Sequence, residues 1–157
     1  MKRRRFKEGV LILSTVVAVL AAGQPAGAEY PPAAGTWTWG AGGAVHFEID
    51  SFGIQGQGIY GFNDQIRFAP SATFFFDDAW FAFDGDVQYV FPLESASPLL
   101  FGFGGLDITT DFDHTEVGLN LGAGLETRLS ENLGGELKLK YVISDLDGFV
   151  LSFGVLF

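Results

Sequence analysis

From Glu116 to Leu129 every second side chain belongs to one face. Val117, Leu119, Leu121, Ala123, Leu125, Thr127 and Leu129 alternate with Gly118, Asn120, Gly122, Gly124, Glu126 and Arg128. Successive side chains point to opposite faces only in a β-strand, so the pattern excludes a helix here. It also demands two surroundings of different chemistry, one for large apolar groups and one for glycine and polar groups.

The same period recurs along the chain. Leu137, Leu139, Tyr141 and Ile143 alternate with Glu136, Lys138, Lys140 and Val142. Phe149, Leu151, Phe153, Val155 and Phe157 alternate with Val150, Ser152, Gly154 and Leu156. Trp37 to Ile49 and Phe81 to Phe91 do likewise. Turn-forming residues break the runs at Asp50-Ser51, Gly61 to Asp64, Asp77-Asp78, Pro92 to Pro98, Asp111 to His114, Ser130 to Asn132 and Asp145 to Gly148. Eight strands are predicted, over 36–49, 52–61, 65–76, 79–91, 99–109, 115–129, 133–144 and 149–157. Pro70 lacks the N–H that a ladder needs, and alternation falters at Gly104-Gly105. A bulge is expected at each.

The first 28 residues read as an export leader. Lys2, Arg3, Arg4, Arg5 and Lys7 precede the apolar run Val10 to Ala22, and Ala26-Gly27-Ala28 has the small residues of a cleavage site. That run is short of the ~20 residues a membrane-spanning helix needs. The expected organisation is a leader over 1–28, a short segment over 29–35 and a barrel over 36–157. Beyond the leader, 4 of the chain's 9 basic residues and 18 of its 19 acidic residues remain. Such acidity argues against nucleic acid. With no Cys there is no disulfide, thiolate metal site or cysteine nucleophile. No cofactor is expected.

Eight antiparallel strands can close into a soluble barrel or a membrane barrel, and the two are inside-out relatives. Here the apolar face carries most of the Phe, Leu, Trp and Tyr. The other carries Gly40, Gly42, Gly118, Gly122, Gly124 and Gly154 beside a few charges. An eight-stranded barrel has an interior only wide enough for side chains. Glycine and compact polar groups fit it, whereas a crowd of Phe would overfill it. The expected fold is therefore an all-β, eight-stranded antiparallel up-and-down transmembrane β-barrel with a plugged polar lumen. A soluble ligand-carrying barrel is the alternative.

The chain ends Phe153-Gly154-Val155-Leu156-Phe157, an alternating strand closed by an aromatic. This resembles the terminal strand of small bacterial outer-membrane β-barrel proteins. The runs 118–126 and 136–141 resemble their closing strands. The resemblance implies residence in the outer membrane of a Gram-negative envelope after export. It implies Phe153, Val155 and Phe157 as the signal read by the barrel-assembly machinery. Outer-membrane lipid and lipopolysaccharide become the expected surroundings of a monomer.

Candidate chemistry lies on the inward face. Arg67, Arg128, Lys138 and Lys140 are expected there, with Glu48, Asp84, Asp86, Glu116, Glu126 and Glu136. If the turn at 130–132 pairs residues whose numbers sum to 264, Arg128 faces Glu136 and Glu126 faces Lys138. The expected result is a network of paired charges that plugs the lumen; a proton- or ion-conducting path is the sharper alternative. His46 and His114 are the only histidines. Ser51 is near His46 in sequence, with nothing to orient it there, so no serine-hydrolase constellation is recognised. Asp50, Asp77, Asp78, Asp111, Asp113, Asp145 and Asp147 fall in turns at one end, where carboxylates could bind cations that bridge lipopolysaccharide phosphates. The expected role is non-catalytic, in envelope integrity or surface contact. Binding or passage of a small hydrophobic solute, or lipid A modification, are the alternatives.

Overall fold

A computed structural model describes residues 33–77, 79–93, 98–145 and 147–157. The expected leader and Asp78 lie outside the described residues. Eight strands form one closed antiparallel barrel in which every strand pairs with its chain neighbours and β1 with β8. They are β1 Trp37–His46, β2 Ser51–Gly61, β3 Ile66–Phe75, β4 Trp80–Val90, β5 Leu99–Thr110, β6 Thr115–Ser130, β7 Leu133–Ile143 and β8 Gly148–Leu156. Closure leaves no strand edge unpaired.

β1 ends before the predicted Ile49. Asp50 adopts a positive φ of 52°, which turns the chain back into β2. The short connections that follow β1, β3, β5 and β7 lie at one end of the barrel, here the short-turn end. The other end holds the start of β1 and the C-terminus; Phe157 and Trp39 exchange backbone hydrogen bonds there.

Neither expected bulge exists. Around Pro70 the β2–β3 register is the same on both sides, with Gln57 opposite Ser71 and Tyr60 opposite Phe68. The missing donor only interrupts the ladder, while Pro70 pairs with Gly85 on its other side. β5 keeps one register with β4 and one with β6 throughout. Gly102 and Gly104 simply take outward positions, so Phe101, Phe103, Gly105, Asp107 and Thr109 all point inward.

The outer surface has three zones. Near the termini Trp37 stacks on Trp39, with Tyr60 and Phe62 beside them and Tyr89 against Phe91 further round. Near the short-turn end Phe52 stacks on Phe76, Phe74 and Phe112 pack on Phe81, and Tyr141 meets Phe149. Between them lie exposed Leu106, Leu119, Leu121 and Leu139. An 11-residue strand such as β2, rising ~3.3 Å per residue and tilted ~45°, covers roughly the 25 Å of a lipid-facing band.

Four aromatic side chains point inward, against the expectation that the lumen excludes them. Phe75 stacks on Trp80 at a centroid distance of 4.3 Å, and both join Ala44, Ala82, Val142 and Val150 in an apolar cap near the short turns. Phe101 and Phe103 cluster with Val90 towards the other end. Gly124 and Gly122 are their direct partners on β6. A Cβ at either glycine would collide with the facing ring. The glycine face thus provides room for two inward rings.

Candidate functional site in the lumen

Strand parity carries charged side chains to the inside, and the barrel wall buries them. Among the described residues, Asp84, Asp86, Asp107, Glu126 and Glu136 are buried inward acids, and Arg67, Lys138 and Lys140 are buried inward bases. They form two clusters.

The first cluster joins β2, β3, β6 and β7. Arg67 donates from a guanidinium nitrogen to Glu126 Oε1 at 2.7 Å, and Glu126 is wholly buried. Lys138 Nζ lies 3.3 Å from Glu136 Oε1. Gln57 links the two groups, accepting from Lys138 and donating to Glu136 at 2.7 Å. Two cations thus meet two carboxylates.

The second cluster joins β3, β4, β5, β6 and β7. Asp84 accepts from Lys140 Nζ at 2.5 Å, from Ser71 Oγ at 2.8 Å and from Asn120 Nδ2 at 2.7 Å. Asp107 lies 3.7 Å from Lys140 and accepts from Thr109 Oγ1 at 2.7 Å. Asp86 accepts from Asn120 at 3.2 Å. One cation meets two carboxylates, with a third beside them.

The register of β6 on β7 corrects the expected pairs. Glu126 faces Glu136, Gly124 faces Lys138 and Arg128 faces Gly134, because the ladder shifts between Arg128 and Ser130. Arg128 has the inward parity but stands exposed at the barrel end. It does not pair with Glu136. Glu48 is likewise exposed beyond the end of β1, and Glu116 is half-buried at the mouth. Asp107 escaped the sequence reading because the expected bulge hid its parity; unbroken alternation from Leu99 to Thr109 would have placed it inside. Polar partners without charge, such as Gln57, Ser71 and Asn120, were also missed.

His46 is 2% exposed and lies edge-on to Phe75 and Trp80. Ser51 is its register partner across the β1–β2 turn. Neither His46 Nδ1 nor Ser51 Oγ has a hydrogen-bond partner. Both are buried. His46, Thr73, Asp107, Thr109 and Lys140 edge an interior cavity of about 10 Å³, enough for about one water molecule. Beyond Trp80 and Thr109 a vestibule of about 300 Å³ opens at the short-turn end, lined also by Asp111, His114 and Glu116.

The rim carboxylates build their own turns. Asp111 Oδ1 accepts the backbone N–H of His114 at 2.7 Å and of Asp113 at 3.0 Å. The bond from His114, and then that from Asp113, hold the Asp111 carboxyl below its ordinary pKa. Asp147 accepts from Tyr141 at 2.8 Å. Among the described residues, no group of three or more His, Cys, Asp and Glu side chains is arranged to hold a metal ion. At the C-terminus, Phe153 is half-buried, while Val155 and Phe157 are each 9% exposed.

No protein-family model matches the sequence, and no curated protein matches it. The structure superposes on the crystal structure of the N-terminal β-barrel domain of Pseudomonas aeruginosa OprF with a TM-score of 0.68, at 19% identity, over 79% of this chain and 97% of that one. The fold shared with that domain is the closed eight-stranded antiparallel barrel. At that identity the likeness concerns the fold.

Proposed function

We propose that the chain is a non-catalytic outer-membrane barrel whose side-chain-filled lumen makes it a structural element of the envelope. The observation that carries this reading is inverted polarity: charged side chains are buried inside, while leucines and two aromatic girdles face out. In water that surface would be a large unpartnered apolar patch; in lipid it is the required one. The positively charged start and the apolar run that follows support export through a leader over 1–28, ahead of a short 29–35 segment. The partners under this reading are lipopolysaccharide and other outer-membrane lipid, with the barrel-assembly machinery acting on the strand that ends at Phe157.

The closed lumen also bears on transport. Its water-sized cavity has no room for a hydrocarbon chain, which favours the structural role over passage of a hydrophobic solute. Fractionation of cells expressing the full chain tests the reading. The protein is expected in the outer-membrane pellet after carbonate washing, with gel mobility that changes on boiling. Recovery as a freely soluble periplasmic protein would sink it. Deletion of Phe157 should lower insertion, and planar bilayers should show no large, stable channels.

A further inference from the structure

We propose that Asp84 and Asp107 form a proton-binding site: in the folded barrel at mildly acidic pH one proton is held between them. The two residues are direct partners on β4 and β5, and both are almost fully buried. One ammonium lies against both, Lys140 Nζ being 2.5 Å from Asp84 Oδ1 and 3.7 Å from Asp107 Oδ2. Two ionised carboxylates sharing one such site repel each other, and a proton on one of them relieves the repulsion. Charge counting reaches the same place. Asp84 and Asp107 share the cation Lys140, Asp86 joins them through Asn120, and a buried excess of negative charge is relieved by taking up a proton.

The partners decide which oxygen carries it. Asp84 accepts from an ammonium, an amide and a hydroxyl, which suits an anion. Asp107 receives one hydroxyl on Oδ1 and has the ammonium only at 3.7 Å from Oδ2. Asp107 is therefore the acid that takes the proton. The groups facing the pair are Asp86 on β4, His46 on β1, Glu116 on β6, and Lys138 and Lys140 on β7. Gln55 on β2, Ser71 and Thr73 on β3, and Val150 and Ser152 on β8 do not titrate. Thr109 borders both the interior cavity and the vestibule. A proton arriving from the short-turn end thus meets the hydroxyl that hydrogen-bonds Asp107.

The sign of the pH dependence follows. At mildly acidic pH the folded pair holds a proton that the unfolded carboxylates have lost. Stability therefore falls as pH rises through the titration of the folded pair.

The test is infrared spectroscopy of the folded protein, in lipid vesicles or in buffer if it proves soluble, so that failure of the membrane reading leaves the measurement intact. The wild type should show a protonated-carboxyl C=O band at mildly acidic pH that disappears on raising the pH through neutrality. Asp107→Asn should lack the band and lose the accompanying fall in unfolding midpoint. Asp86→Asn should keep both. Absence of the band in folded wild type would overturn the proposal without any variant. So would its survival in Asp107→Asn or its loss in Asp86→Asn, which would put the proton on Asp86.

Discussion

The two charge clusters in the lumen share one motif and differ in its completion. In each, two acids are direct cross-strand partners, Glu126 with Glu136 and Asp84 with Asp107. Like charges placed so are destabilising unless something intervenes. Around the glutamates each acid has its own cation: Arg67 serves Glu126, Lys138 serves Glu136, and Gln57 bonds both Lys138 and Glu136. Around the aspartates Lys140 serves both, and Asp86 adds a further acid. Cation supply, more than the presence of a network, separates an inert plug from a site that takes up a proton.

Substitutions break or sharpen that contrast, the largest effect first. Lys140→Met removes the only cation of the aspartate cluster. Breaking a buried pair costs about 3–5 kcal/mol, and the expected loss in urea unfolding of the refolded barrel is at the top of that range. It should shrink as pH falls, because neutral acids need no counter-ion. A loss independent of pH would deny the charge imbalance.

Arg67→Met comes next. It leaves Glu126 with Lys138 as the nearest remaining cation, and a cost of about 3 kcal/mol is expected. A loss equal to that of Lys140→Met would erase the distinction between the clusters. Gly124→Ala probes the lumen where no charge is involved. Its methyl meets the Phe101 ring, and overpacking of this kind costs about 1–3 kcal/mol. Adding Phe101→Leu should recover part of it, measured in the same unfolding assay; no recovery would place the clash elsewhere. Arg128→Ala is the smallest perturbation. The residue is exposed at the barrel end, and surface charges contribute about 0–1 kcal/mol. A larger loss would revive the pairing with Glu136 that the register excludes.

Several features were legible before any tertiary structure. The eight strands, and the turn residues between them, follow from a local period, since a side chain's face is set by its own backbone. Arg67, Lys138, Lys140, Glu126, Glu136, Asp84 and Asp86 are on the inside for the same reason. Asp107 was lost because Gly104-Gly105 resembled a break in the period. Two adjacent glycines fit either face and so give no parity of their own. Pro70 misled in the opposite sense: a missing donor interrupts pairing without requiring an extra residue.

What the sequence by itself determined is the alternation, the strand count and the inverted distribution of polarity, because these depend on each residue and its near neighbours. Only the tertiary structure decided who meets whom. The shift between Arg128 and Ser130 set Glu126 against Glu136 and carried Arg128 past its expected partner. Register depends on how a turn is built, and a change of two residues keeps every side chain on its face while replacing all its partners. Ring closure then brought Arg67 to Glu126 and Lys140 to Asp84 across sequence separations of 59 and 56 residues. No local pattern encodes such contacts; they exist because the wall is curved into a cylinder too narrow for its inward side chains to avoid one another.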